Sequence, residues 1–324
     1  MLISRGLAIT EISDSSRSLL YQRTRNAYSR AYKHHNIIAL EVNFTSELTQ
    51  SSISMSIEIS NLKLFKLKPL EHQHFEPPTQ YRSRFDFNHH DEKVHVLLCA
   101  TGSVATIKIP NMINALAKHP NIAIRLIFTT SAKNFLQGQS EEQPSLMSIE
   151  ALPNVEGIYF DEDEWKEPWK RGNKILHIEL RRWADIMVIA PLSANEMAKI
   201  TQGWSDNLLL SVVRAWDTTG LIDPLREIPG VVWPEEEGWK DGPKKKRILV
   251  APSMNTAMWL QPITKKQVQM LDEEWGVRNG GWYEVLQPMM KELACGDVGG
   301  GAMKDWREIV GVIEARLGLT AGED

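Results

Sequence analysis

The chain has 324 residues, 42% of them hydrophobic, and 37 Lys and Arg against 41 Asp and Glu give it a net charge of -4. That content suffices for one large domain or two small ones around a sizeable core, while the near-balanced charge argues against a nucleic-acid partner held through phosphates. No apolar run approaches the roughly 18 to 20 residues of a membrane-spanning helix, so a soluble intracellular protein, cytoplasmic in location, is expected. Two cysteines, Cys99 and Cys295, cannot make a disulfide framework, and neither has a partner at CxxC spacing, so no metal is expected.

Residues 1–92 interrupt their apolar positions with Ser, Thr, Asn, Gln, His and charge, hold no long helical or strand period, and read as a poorly ordered N-terminal extension. Arg5, Arg17, Arg23, Arg25, Arg30 and Lys33 faintly suggest a mitochondrial presequence, but Glu11, Asp14 and the weak amphipathicity argue against one. From Val94 the texture changes to short apolar runs alternating with helical patterns, the mark of a parallel sheet covered by helices on both faces. Val94 to Ala100 reads as a buried strand, Thr101-Gly102-Ser103 as a turn and Val104 to Lys118 as a helix. Ala123 to Thr129 is the second strand, Ile186 to Ala190 the third, running through Pro191 into a helix from about Ser193, and Ile248 to Ala251 the fourth. The stretch 218–247, rich in Pro, Gly, Trp and charge, reads as a surface insertion, with Glu235 to Glu237 and Lys244 to Lys246 as solvated faces.

In such sheets ligands sit beyond the carboxyl ends of the strands, where helix N-termini offer free N–H groups to an anion. Three hydroxyl-bearing turns fall there: Gly102-Ser103-Val104, Thr129-Thr130-Ser131 and Ser193-Ala194-Asn195. Ser103 alone reads as a helix cap ahead of a phosphate donor, but three such turns at one edge suggest a phosphate together with a heterocycle. The glycine spacing matches neither GxGxxG nor a P-loop, which favours a mononucleotide such as FMN. Three further segments carry chemistry: His177 to Arg182 (HIELRR), Pro252 to Trp259 (PSMNTAMW) and Ala294 to Asp297 (ACGD). The His177 imidazole can move a proton in both directions near neutral pH, and Arg181 or Arg182 could clamp a carboxylate or phosphate. Asn255 can hydrogen-bond a carboxylate or amide, with Met258 and Trp259 as an apolar wall, and Cys295 offers a free thiol, whereas Cys99 lies in an apolar strand and reads as core.

The segments GSVATIK, LHIELRRWAD, APLSAN, DNLLLSVVRAWD, PSMNTAMW and ACGD together resemble the flavin-containing cysteine decarboxylases from Val94 to about Leu317, and within them the eukaryotic phosphopantothenoylcysteine decarboxylases of coenzyme A synthesis. The resemblance implies a flavodoxin-like α/β fold, a doubly wound parallel sheet in three layers, over a domain of residues 93–324. It implies a homotrimer and FMN bound near subunit contacts by Gly102, Ser103, Val104, Thr130, Ser131, Ser193, Ala194, Asn195 and Ser253. The implied reaction decarboxylates 4'-phosphopantothenoylcysteine to 4'-phosphopantetheine: the thiol is oxidised to a thioaldehyde, CO2 leaves into that electron sink, and the enethiol is reduced again. In that scheme His177 is the base of the first half and Cys295 the acid of the second, while Asn255, Met258 and Arg182 bind substrate. The chain departs from the pattern in its N-terminal extension, the insertion before Ile248, and Ser253 where the family usually has Ala. A competing expectation is a regulatory subunit that inhibits a protein phosphatase, or a subunit that shares catalysis with unlike partners; the presence of His177, Asn255 and Cys295 together favours a complete enzyme.

Overall fold

The computed structural model describes residues 85, 87–234, 244–292 and 298–319, together with two short strands, Glu47–Thr49 and Ser52–Ser54. The chain divides into two compact units, Met1–Pro77 and Pro78–Asp324. In the first, the two short strands pair antiparallel with Leu48 opposite Ile53.

The second unit is built on six parallel strands: β1 (Val94–Ala100), β2 (Ile122–Phe128), β3 (Val155–Tyr159), β4 (Ile186–Leu192), β5 (Arg247–Pro252) and β6 (Tyr283–Val285). Their spatial order is β3-β2-β1-β4-β5-β6. The four central strands are buried along their whole length, which is why they read as near-continuous apolar runs. The edge strands β3 and β6 are shorter and partly exposed, so Val155–Tyr159 alternates with Glu156 and Gly157 and leaves no such run.

Side-chain alternation divides the core into two layers. Val94, Val96, Leu98 and Ala100 of β1 face the layer formed with α1 (Ile109–Leu116) and the C-terminal helix Trp306–Arg316, whereas Leu97 and Cys99 face the other. That second layer is covered by α2 (Leu176–Trp183), α3 (Ala194–Gln202) and α4 (Leu208–Ala215). The three-layer, doubly wound architecture of the flavodoxin-like class is therefore present. The chain reverses direction across the sheet between β1 and β4, so the crevice opens there.

Two elements differ from the expectation. The single helix expected over Val104 to Lys118 is a 3-10 turn, Val104–Lys108, followed by α1 with Pro110 in its first turn; a proline lacks the N–H and clashes inside a helix, so the α-helix starts around it. The insertion is not only surface: Ile228 and Trp233 are buried in the first core layer, and Arg226 donates to both oxygens of the fully buried Asp185 at 2.8 and 2.6 Å. Lys246 is likewise 4% exposed rather than solvated. The Glu235 to Glu237 run lies outside the described residues. After β6 the chain forms an antiparallel hairpin, β7 (Met289–Glu292) and β8 (Val298–Ala302), and the helix α5 (Thr256–Leu260) packs beside β8. No helix among the described residues is long and apolar enough to cross a membrane.

Candidate active site

A cavity of about 560 Å3 opens at the carboxyl edge of the sheet, within the roughly 300–1,000 Å3 typical of small-molecule sites. It is lined by Gly102, Ser103 and Val104 after β1, Ser131 after β2, Ser193, Ala194 and Asn195 after β4, and Ser253, Asn255 and Met258 after β5. The switch point itself is locked by Thr101, whose hydroxyl donates to Pro191 O at 2.9 Å and accepts from Ser193 N at 2.7 Å. Gly102 lets the first turn lie against the second: a Cβ there would come within 2.7 Å of Ser131 Cβ. Ser103 Oγ and Ser253 Oγ meet at 2.8 Å, which ties the first and last turns across the crevice.

Each turn caps the element behind it. Ser103 Oγ accepts from Ala105 N, Ser193 Oγ from Glu196 N at the start of α3, and Asn255 Oδ1 from Met258 N at the start of α5. Capping and lining are thus compatible roles for these residues. The Asn255 carboxamide is fixed by its cap at 2.8 Å, and its Nδ2 makes no hydrogen bond among the described residues. Met258 is 46% exposed on the cavity wall, while Trp259 packs toward the second core layer and the hairpin instead of lining the cavity.

The remaining expected residues lie elsewhere. The Thr130 hydroxyl donates to Asp161 at 3.2 Å and is not among the lining groups. His177 sits at the start of α2, at the carboxyl edge of the sheet because a helix returning to a parallel strand runs against it, yet outside the cavity. Its Nδ1 meets the Glu164 carboxylate, and its Nε2 makes no hydrogen bond among the described residues. Arg182, at the other end of α2, pairs with Glu179 at 3.1 Å, is not among the lining groups, and instead lines a second cavity with Glu179, Arg226 and Lys246. Arg181 is held by Asp223 at 2.7 Å. Cys295 falls between β7 and β8 and lies outside the described residues. Cys99 is fully buried, and burial pushes its thiol far up.

The Gly-rich stretch 296–301 is in its described part a packing device. A Cβ at Gly299 would lie 2.6 Å from Thr256 Cγ2, and Gly301, at φ +111°, would place one 2.7 Å from Met254 O. Sequence reasoning missed the rim formed by Met303, Lys304 and Trp306. Asp305, which caps the C-terminal helix through a hydrogen bond from Arg307 N, was the available signal. It also missed the acidic turn Asp161–Glu164 that supports His177.

Fold and site define a doubly wound α/β protein with a small-molecule cavity at its switch point, walled by hydroxyls, an amide and methionines. The sequence pattern of the Flavoprotein family matches residues 85–318, and the chain belongs to that family. A curated phosphopantothenoylcysteine decarboxylase of Arabidopsis thaliana is 38% identical over 224 residues, 69% of this chain and 85% of that one, which places the chain among those relatives. The chain spans only 30% of a longer Schizosaccharomyces pombe relative named "Probable thymidylate synthase", 37% identical over 229 residues, or 71% of this chain. Among solved structures, "The FMN binding protein AtHal3" is 37% identical with a TM-score of 0.52, covering 71% of this chain and 99% of its own. A PPC decarboxylase carrying a cysteine-to-serine substitution and complexed with pantothenoylaminoethenethiol is 36% identical with a TM-score of 0.50, covering 68% and 97%.

Proposed function

We propose that this chain catalyses FMN-dependent decarboxylation of 4'-phosphopantothenoylcysteine to 4'-phosphopantetheine in coenzyme A biosynthesis, as a cytoplasmic homotrimer whose catalytic domain spans residues 93–324. The observation that carries the reading is the single cavity that gathers the turns after β1, β2, β4 and β5. Its chemistry suits FMN. Gly102 keeps a close cradle that a Cβ would fill, Ser103, Ser131, Ser193 and Ser253 offer hydroxyls, and capped helix starts offer N–H groups to a phosphate. When bound, FMN supplies a two-electron acceptor and donor for the thiol-bearing carbon.

The protein's own groups do the rest. His177 Nε2 takes the substrate thiol proton, which prepares the thiol-bearing carbon for oxidation and so creates the sink for CO2. Asn255 Nδ2 donates to the substrate carboxylate or amide, and Met258 excludes water from that side. Cys295 gives a proton to the carbanionic centre in the reduction half. His177 and Arg182 are not among the groups lining the cavity of their own chain, which supports a site completed by a neighbouring copy in the proposed trimer. The regulatory reading is not favoured, because relatives matched over most of their own length are named as decarboxylases and His177, Asn255 and Cys295 are all present.

The test is to purify the chain, record its absorption spectrum, and assay CO2 release from phosphopantothenoylcysteine. A yellow protein that releases CO2, with His177→Asn inactive and Cys295→Ser accumulating an oxidised enethiol, is the expected result. A colourless protein, or undiminished turnover in His177→Asn, contradicts the reading.

A further inference from the structure

The turn Asp161–Glu164 places four carboxylates in one short helical turn, a costly concentration of like charge unless each has a partner. Three of them are engaged in structure. Asp161 accepts from Leu208 N at the start of α4 at 2.9 Å and from the Thr130 hydroxyl at 3.2 Å. Glu162 pairs with Lys133 at 2.6 Å, and Asp163 accepts from Phe160 N at 2.9 Å. These contacts fasten the turn to the ends of β2, β3 and α4. The fourth, Glu164, has a side chain only 4% exposed, and it receives His177 Nδ1, whose own side chain is 24% exposed.

We infer that Glu164 is a positioning residue for the decarboxylation: it holds His177 as the Nδ1–H tautomer, so that the lone pair on Nε2 faces the substrate. This rests on the reading of His177 as the base. An ionised carboxylate only accepts, so it selects the ring tautomer that donates from Nδ1. When the thiol S–H bond breaks, its proton bonds to Nε2 and the electron pair stays on sulfur. The imidazolium formed keeps its Nδ1–H on Glu164, whose negative charge stabilises it, and no electron leaves the pair. The three structural carboxylates fix the turn, so little ordering remains when substrate arrives.

The experiment compares wild type with Glu164→Gln, Glu164→Asp and His177→Asn, each as the FMN-bearing full chain. It reads kcat and KM for CO2 release, bound FMN, assembly size, and the imidazole tautomer by 15N NMR, with His177→Asn assigning the signal. Glu164→Gln is expected to keep FMN and assembly, to leave KM within about twofold and to lower kcat on the order of 10²-fold. Its side-chain amide can donate to Nδ1, so the His177 signal moves toward the Nε2–H tautomer. Glu164→Asp keeps a carboxylate and is expected to recover part of kcat with the Nδ1–H tautomer retained. A Glu164→Gln enzyme within twofold of wild-type kcat while His177→Asn is inactive overturns the positioning role alone, whereas an active His177→Asn overturns the base itself. Loss of FMN or of assembly in both Glu164 variants would make Glu164 structural and overturn the inference as well.

Discussion

Lys246 ends a run of three lysines whose composition points to solvent, yet its Nζ donates to Arg182 O at 2.9 Å from a buried position. Burial pushes this ammonium down to about 8, with Asp185 and Asp223 only partly offsetting the desolvation. The sign follows from proton counting. Above about pH 8 the folded chain has released this proton, while the unfolded chain holds it to about 10.4, so stability rises with pH across that window. Chemical denaturation of wild type and Lys246→Met should diverge there by up to about 1.4 kcal/mol per pH unit, wild type gaining; a constant difference would refute the shift. Which lysine of a run is buried depends on where the chain turns into β5, and no local pattern encodes that. The cavity-lining caps were different: the Ser103 and Ser193 hydroxyls and the Asn255 amide were legible because a helix start announces itself by its cap. Beside them Thr129 is the cap, while the Thr130 hydroxyl donates to Asp161.

The insertion between α4 and β5 is the element whose behaviour sequence composition described least well. Pro, Gly and charge mark an irregular path, and irregular it is, but Arg226 reaches from it to Asp185, His89 O and Lys93 O, and its partner Asp185 is fully buried. Asp185 also accepts from His95 N, so the insertion is bound to the first residues of β1 and β4 at once. Arg226→Leu leaves that carboxylate buried without its cation and should cost about 3–5 kcal/mol in urea denaturation; a cost near that of a surface change would return the segment to the status of a loose loop. Long-range partners of this kind, 41 residues apart in sequence, are invisible to periodicity. The four central strands were visible because both their faces are buried, whereas the edge strands β3 and β6 were not, each showing the core only part of itself.

At the scale of the whole molecule, one chain holds a cavity fitted for FMN and, outside it, a histidine positioned by a buried carboxylate. The sequence motifs name both halves but carry no distance between them, so only the fold reveals that they do not meet within a chain. In the proposed homotrimer, α2 of one copy would meet the cavity of the next and bring the two halves together. Mixing His177→Asn with Asn255→Asp chains, each inactive alone, and exchanging their subunits is the most direct measurement of that claim. CO2 release from phosphopantothenoylcysteine should return to roughly a quarter of the wild-type rate, because about one site in four then pairs an intact His177 with an intact cavity. Mixed assemblies that form, bind FMN and remain inactive would contradict it.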